Sequence, residues 1–102
     1  MFLDKYLDNF YYDLVYDNYD SSYLEGLDEN NFLSVYNIFS KYNFYFVNDI
    51  ILNYIELFEM EPENVENGIL SLKEKLGNDF VYIIGNDMKY LNEIIDVELE
   101  DE

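Results

Sequence analysis

The chain has no cysteine, no histidine and no arginine among its 102 residues. Without cysteine, it has no disulfide bonds, thiolate metal sites or cysteine nucleophiles. Without histidine as well, a conventional catalytic triad or an imidazole base cannot be built, and zinc loses its usual ligands. We therefore predict no catalytic residue, no metal ion and no cofactor, and we expect the protein not to be an enzyme.

Glycine and long apolar runs are also scarce. The four glycines, Gly26, Gly68, Gly77 and Gly85, form neither a GxGxxG nor a GxxxxGK pattern that could cradle phosphate. No stretch approaches the roughly 18 uncharged apolar residues of a membrane span, and the start lacks the basic region of a signal peptide. Anionic lipid attracts polybasic segments, so a membrane surface is a poor partner for this chain. We expect a cytoplasmic protein with no membrane partner.

Positive charge is the other scarce feature, since five lysines face 23 carboxylates and leave a net charge of −18. Half of the residues are nevertheless hydrophobic and 20% are aromatic, which is enough apolar surface to predict one folded domain over residues 1–102. The abundant Asn, Tyr and Ile are typical of AT-rich coding, which also supplies lysine, so its scarcity indicates that positive charge was selected against. A body this acidic repels nucleic acid and attracts basic surfaces, which predicts a basic protein partner and no direct binding to nucleic acid.

The first segment, Phe2 to about Asn18, carries a helical apolar stripe at Leu3, Leu7, Phe10 and Leu14, which we predict to be core. Carboxylates and tyrosines occupy the other side. Exposed tyrosine beside carboxylate suits an interface, because it adds contact area and hydrogen-bonding groups at low entropy cost. Alternatively, the tyrosines pack against the rest of the domain. The predicted partner-binding residues are Asp4, Asp8, Tyr12, Asp13, Tyr16, Asp17, Tyr19 and Asp20.

Three further helices follow from apolar periodicity and local capping signals. We predict one from Glu29 to about Tyr42, capped by Asp28, with Phe32, Val35, Tyr36 and Phe39 on its inner face. After a buried connection at 43–47, the next runs from a cap at Asn48 or Asp49 to about Glu59, with Ile51, Tyr54, Ile55 and Phe58 inward. The last begins at Pro62, buries Val65, Ile69, Leu72 and Leu76, and stops at Gly77.

The C-terminal part of the chain is ambiguous. Residues Phe80 to Ile84 have the composition of a strand, yet Phe80, Ile84, Met88, Leu91 and Ile95 also follow a helical stripe, which we prefer. Residues 96–102 are predicted to form a short strand or an acidic tail. The expected fold is mainly α, a compact single-domain bundle of about four to five helices. The alternative is α+β, with a short strand pair around Phe80–Ile84 and Val97–Leu99.

The spacing of the acids suggests how a basic surface would be engaged. Carboxylates at i and i+4, such as Asp4 with Asp8 and Asp13 with Asp17, lie about 5 to 6 Å apart at Cβ on a helix. Duplex DNA presents one negative charge per about 1.7 Å of its axis, and DNA-binding proteins neutralise those phosphates with Lys and Arg. A rigid body carrying carboxylates at a similar scale offers the same basic groove a competing ligand.

Small size, extreme acidity, lack of cysteine and abundant tyrosine together resemble phage-encoded DNA-mimic inhibitors, including anti-CRISPR proteins, anti-restriction proteins and inhibitors of uracil-DNA glycosylase. The resemblance covers overall composition and no motif, so it assigns no residues. It implies a protein made in the cytoplasm of an infected bacterium, where it evades host defence by blocking the nucleic-acid channel of a defence nuclease or CRISPR effector. The alternatives are an immunity protein or antitoxin that neutralises a basic nuclease toxin, and a small acidic subunit of a cellular assembly.

Overall fold

A computed structural model describes the backbone of residues 2–100 and the side chains of residues 2–96. Within this part the chain forms seven α-helices, three short 3-10 helices and no strand. The α-helices are α1 (Asn9–Asn18), α2 (Ser21–Glu25), α3 (Glu29–Lys41), α4 (Val47–Asn53), α5 (Pro62–Leu76), α6 (Phe80–Asn86) and α7 (Asn92–Glu100). The 3-10 helices are Phe2–Lys5, Ile55–Glu59 and Met88–Leu91. The prediction of a mainly α fold is confirmed, but the predicted number of four to five helices was too low.

The N-terminal helix predicted over residues 2–18 is interrupted. Asp8 has an extended backbone (φ −73°, ψ 168°), and its carboxylate accepts a hydrogen bond from the backbone N–H of Tyr11 at 3.0 Å. This is the N-cap arrangement that starts a helix, so α1 begins at Asn9. Its side chains therefore point in other directions about the helix axis than they would in one continuous helix from residue 2. Leu3, Leu7 and Val15 are buried, whereas Phe10 is 68% exposed. The predicted burial of Phe10 was wrong.

Helix α3 forms as its sequence predicts. The carboxylate of Asp28 accepts a hydrogen bond from the backbone N–H of Asn31 at 3.1 Å, which confirms the predicted cap. Phe32, Val35 and Phe39 are fully buried. The ring of Phe58 lies against two of these side chains, with centroids 4.6 Å from Phe32 and 5.7 Å from Phe39. This aromatic cluster joins α3 to the 3-10 helix Ile55–Glu59 at the centre of the core.

The helix predicted from Asn48 or Asp49 to Glu59 is divided in two. It begins earlier, at Val47, with no side-chain cap, and stops at Tyr54, whose φ of −138° and ψ of 45° are not helical. The following 3-10 turn buries Leu57 as well as Ile55 and Phe58. A continuous α-helix would have turned Leu57 away from the predicted stripe, so the break lets one more apolar side chain enter the core.

Helix α5 starts at Pro62 and ends before Gly77, as predicted. Gly77 has φ +87°, a conformation that favours glycine, and its N–H donates to the carbonyl of Lys73 at 2.8 Å. Val65, Ile69 and Leu72 are buried. Helix α5 packs against α3, α6 and α7.

The preference for a helix at Phe80 is confirmed by α6, but the helical stripe through Gly85 is not continuous. The chain breaks at Asp87, whose φ is −147° and whose carboxylate accepts a hydrogen bond from the backbone N–H of Lys89. The backbone over residues 92–100 is helical, so the alternative strand pair of Phe80–Ile84 with Val97–Leu99 was wrong. The predicted strand or acidic tail at 96–102 is α-helical as far as residue 100, and residues 101–102 lie outside the described part.

Candidate functional site

The acidic side chains cover the surface of the fold. Four of the 23 acids (Glu98, Glu100, Asp101 and Glu102) lie outside the part with described side chains, which leaves 19. Of these, 17 are exposed and two, Asp49 and Glu66, are half-buried; no described polar or charged side chain is buried. The carboxylates therefore act on the surroundings of the protein and contribute little to its interior.

Three of the five lysines are held in ion pairs within the fold. Lys5 lies 3.2 Å from Glu29, Lys41 lies 2.7 Å from Glu66, and Lys75 lies 3.1 Å from Glu93, each measured from Nζ to a carboxylate oxygen. Hydrogen bonds from Lys41 and Tyr42 hold the pKa of Glu66 below its usual value. The scarce positive charge is thus largely engaged by the protein's own carboxylates.

Residues 6–40, which include α1, α2 and all of α3 except Lys41, are a long acidic stretch. This stretch contains no lysine and seven acids: Asp8, Asp13, Asp17, Asp20, Glu25, Asp28 and Glu29. All seven are exposed. Helices α1 and α2 therefore carry acidic side chains and no basic one, whereas α3 has a lysine at each end: Lys5 is paired with Glu29, and Lys41 is its last residue.

Two of the predicted partner-binding aspartates also start helices. Asp8 is the N-cap of α1, and Asp20 is the N-cap of α2, where its carboxylate accepts a hydrogen bond from the backbone N–H of Ser22 at 3.0 Å. Asp4 lies in the 3-10 helix Phe2–Lys5, so the expected i, i+4 pairing of Asp4 and Asp8 on one helix was wrong. Asp13 and Asp17 are one turn apart inside α1 and both are exposed, as expected.

Tyr12 and Tyr16 form a pair on the flank of α1. Their ring centroids are 4.6 Å apart, both side chains are half-buried, and both pack against the core. A hydrogen bond with Tyr16, together with partial burial and the nearby negative charge of Asp4, raises the pKa of Tyr12 to about 12. The structure therefore brings together Asp4, Tyr12 and Tyr16 from the predicted set.

Tyr19 makes a hydrogen bond within the fold. Its hydroxyl donates to the backbone carbonyl of Leu52 at 2.8 Å, and Tyr11 makes a similar link by donating to the carboxylate of Asp49 at 2.8 Å. Tyr11 lies in α1 and Tyr19 is its C-cap residue, so the two bonds connect α1 and its C-terminal end to α4. Burial, and then the charge of Glu56, raise the pKa of Tyr19. The alternative interpretation, that these tyrosines pack against the rest of the domain, describes Tyr12, Tyr16 and Tyr19 better than full exposure does.

The outward side of α1 carries Phe10, Asp13 and Asp17, which we call the Phe10 face. These residues occupy positions i, i+3 and i+7 and therefore share one side of the helix. All eight phenylalanines lie in the described part of the chain, and Phe10 alone is exposed. Sequence reasoning assigned Phe10 to the core because it continued the stripe of Leu3 and Leu7. The signal that could have located it is Asp8, a strong N-cap residue that restarts the helix.

The Phe10 face is unfavourable for folding in three ways. Asp13 and Asp17 are like charges one turn apart. Asp17 also lies in the last turn of α1, where the negative end of the helix dipole disfavours an acid and no basic residue is present. The exposed ring of Phe10 gains little from burial. Chemically, the face offers an apolar ring flanked by two anions, which suits a partner that is both apolar and cationic.

The described structure also has a pocket away from the Phe10 face. A cavity of about 300 Å³ lies between α5 and α7, bordered by Gly68, Leu72 and Ile94, with the Lys75–Glu93 ion pair also on its wall. No three acidic side chains of residues 2–96 gather closely enough to hold a metal ion. Over the same part of the chain, no helix has the length and apolar character needed to cross a bilayer.

Comparison of the chain with known protein families, curated proteins and solved structures finds no match.

Proposed function

We propose that the protein is an acidic inhibitor that binds the positively charged nucleic-acid-binding surface of a bacterial defence nuclease or CRISPR effector. It would act in the cytoplasm of the host cell, by binding and without catalysis, and would exclude nucleic acid as a DNA mimic. The observation that carries this proposal is the stretch from residue 6 to residue 40, in which seven exposed carboxylates are accompanied by no lysine within the stretch.

The magnitude of the charge supports a role in binding. A net charge of magnitude about 2 to 8 with both signs interspersed is sufficient to keep a small domain soluble, whereas this chain carries −18. Repulsion among so many like charges opposes the compact state. The same negative field raises the rate of association with a positively charged partner. The charge thus destabilises the isolated protein and favours its complex with a basic protein.

The spacing of the charges supports a groove as the target. Asp13 and Asp17 lie on one α-helix at i and i+4, which separates their Cβ atoms by about 5 to 6 Å. A groove that grips DNA spaces its cations to meet phosphates a few ångströms apart. The hydrogen bonds of Tyr11 and Tyr19 to α4 brace α1, so its carboxylates are presented on a rigid support.

The proposed contacts are the exposed carboxylates Asp4, Asp8, Asp13, Asp17 and Asp20, together with the accessible edges of three half-buried tyrosines, Tyr12, Tyr16 and Tyr19. Asp8 and Asp20 keep their carboxylates exposed while they cap helices, so capping and partner binding are compatible.

The experiment that tests the proposal begins with capture. The tagged protein is incubated with a bacterial lysate at low salt, bound proteins are eluted with rising salt and identified, and the main one is purified. Its binding to labelled DNA or guide RNA is then measured with increasing inhibitor. We expect competition, and an inhibitor affinity that falls steeply with salt. Undiminished nucleic-acid binding, or an affinity independent of salt, would contradict the proposal.

A charge-matched control separates a specific surface from net charge. Replacing Asp4, Asp8, Asp13 and Asp17 by Asn should weaken inhibition, and Asn at position 8 preserves the N-cap because the two residues cap helices equally well. The control replaces four exposed acids outside α1, Glu63, Glu74, Asp79 and Asp87, by their amides. Equal weakening by both variants would show that inhibition depends on net charge and involves no particular face. Capture of a toxin nuclease would favour the immunity-protein function, which relies on the same surface.

A further inference from the structure

We infer that Phe10 is the specificity anchor of the protein and inserts between arginine and apolar side chains of the basic partner, while Asp13 and Asp17 bind the arginines. This inference depends on the proposed function, because it assumes a basic partner. It goes further by naming the contact that distinguishes that partner from other cationic surfaces. The partner chemistry is an arginine-rich segment that also carries aliphatic side chains.

The exposure of Phe10 is the first observation. The chain buries six of its eight phenylalanines and half-buries Phe2, yet Phe10 is 68% exposed on a helix that packs against α4. Most binding energy in protein interfaces comes from a few residues near the centre, and large rigid side chains are prominent among them. A phenylalanine held outside a core that accommodates the others is a candidate for that role.

The ring of Phe10 also contacts a side chain that is itself tied to the fold. It lies edge-on to the ring of Tyr11, with centroids 5.5 Å apart and an interplanar angle of 86°. Tyr11 is in turn tied to α4 through its hydrogen bond to Asp49. A contact that restricts a side chain before binding reduces the conformational entropy lost on binding, which increases affinity.

The charges beside Phe10 determine which partner fits. Asp13 lies one turn from Phe10 and Asp17 two turns away on the same exposed side, and no lysine lies between residues 6 and 40. An arginine guanidinium can stack on an aromatic ring and form two parallel hydrogen bonds to a carboxylate. Arginine therefore satisfies Phe10 and Asp13 together. Lysine can contact each group but can neither stack in a plane nor form two parallel hydrogen bonds, and an anionic membrane is repelled by the aspartates.

A second copy of this chain fits the face poorly. A symmetric contact through Phe10 would place Asp13 and Asp17 of two copies, each with net charge −18, against one another. Like-charge contacts without an intervening cation oppose such a dimer.

The test uses two synthetic helical peptides of about 14 residues, or four turns. Both carry the same arginines, and one carries leucine where the other carries serine. Each is titrated into isotope-labelled protein while backbone amide NMR signals are recorded, and affinities are measured by calorimetry. The variants are Phe10→Ala and Tyr82→Ala. Tyr82 is a matched control because it is 66% exposed and lies on α6, remote in sequence from α1.

We expect the Arg/Leu peptide to shift the amide signals of residues 10–17, and Phe10→Ala to weaken its binding about tenfold or more. Tyr82→Ala should bind it like the wild type. Phe10→Ala should weaken the Arg/Ser peptide less than the Arg/Leu peptide, because only the stacking of arginine on the ring is lost there. A change of less than about twofold for Phe10→Ala with the Arg/Leu peptide would overturn the inference. Signal shifts away from α1, or equal binding of the two peptides, would also overturn it. Circular dichroism melting of each variant shows whether the fold is retained.

Two further measurements complete the test: the oligomeric state of the free protein by sedimentation, and the competition between the protein and nucleic acid for the captured nuclease. A dimer that Phe10→Ala abolishes would identify a second copy as the occupant and overturn the inference. If the captured nuclease is blocked equally well by the wild type and Phe10→Ala, the anchor is wrong and the proposed function stands. If the peptide results hold but no nucleic-acid binding is blocked, the anchor stands and the proposed function is wrong.

Discussion

Replacing Asp13 and Asp17 by Asn should stabilise the fold, because both charges are unfavourable where α1 places them. The pair is separated by one turn, and a like-charge pair at i, i+4 costs about 0.2 to 0.5 kcal/mol. Asp17 lies in the last turn, where an acid opposes the helix dipole by about 0.3 to 1 kcal/mol. Asn and Asp have similar helix propensities, so propensity contributes little. The expected gain in unfolding free energy is about 0.5 to 1.5 kcal/mol at low ionic strength.

A matched variant removes two charges where the structure predicts the opposite local effect. Glu61 precedes α5 and Glu63 lies in its first turn, both exposed, where acids interact favourably with the helix dipole. Replacing both by Gln should cost about 0.3 to 1 kcal/mol for each lost dipole interaction. Relief of the overall repulsion benefits both variants equally, so the difference between them reports local geometry.

The assay is urea denaturation followed by circular dichroism, because urea, unlike guanidinium chloride, does not screen charge. With a denaturant slope of about 1 to 3 kcal/mol per molar, a gain of about 1 kcal/mol moves the midpoint by about half a molar. High salt should reduce both effects. Equal gains in the two variants would show that only net charge matters. A loss in the Asp13/Asp17 variant would mean that these carboxylates stabilise the fold, which would remove the reason for assigning them to binding.

Three further predictions concern the packing and the tyrosine pair. Leu72→Ala should lower the unfolding free energy by about 2 to 5 kcal/mol, since Leu72 is 2% exposed; a loss below about half a kcal/mol in urea denaturation would be inconsistent with its burial. Gly68→Ala should destabilise the protein instead of giving the usual helical gain of about 0.5 to 1 kcal/mol, because the new Cβ would lie 2.7 Å from a side-chain carbon of Ile94. An unchanged or higher urea midpoint would contradict this close contact. Tyr12, whose pKa rises from 10.0 to about 12 chiefly through its hydrogen bond with Tyr16, should contribute stability that is present below pH 10 and lost as the pH rises through about 12. The difference in phenolate absorbance between wild type and Tyr12→Phe measures that pKa, and a midpoint near 10 would contradict the predicted shift.

Local chemistry was sufficient to predict several helix boundaries. Asp28 caps α3, Pro62 begins α5 and Gly77 ends it, because each residue type has a backbone or hydrogen-bonding preference that neighbours along the chain can satisfy. The same holds for the inner faces of α3 and α5, whose apolar periodicity is uninterrupted. Net charge and acidity follow from composition alone and need no coordinates.

Tertiary packing decided where the long periodic segments are interrupted. Periodicity allowed one helix over residues 2–18 and another up to Glu59, but the fold interrupts the first at Asp8 and the second at Tyr54. The second break lets Leu57 enter the core beside Phe58, a gain that depends on contacts with α3 and is invisible in a local window.

The acidic side of α1 was predictable from sequence, but its aromatic residue was not. Composition and spacing indicated a surface rich in aspartate, and Asp13 and Asp17 do lie exposed on it. Whether Phe10 or a tyrosine accompanies them depends on the rotation of the helix. The cap at Asp8 and the burial of Val15 determine that rotation, and they turn Phe10 outward. The sequence thus determines the charge and most of the helical content, while tertiary structure decides which side chains share the surface, because a helix exposes whichever face its packing leaves uncovered.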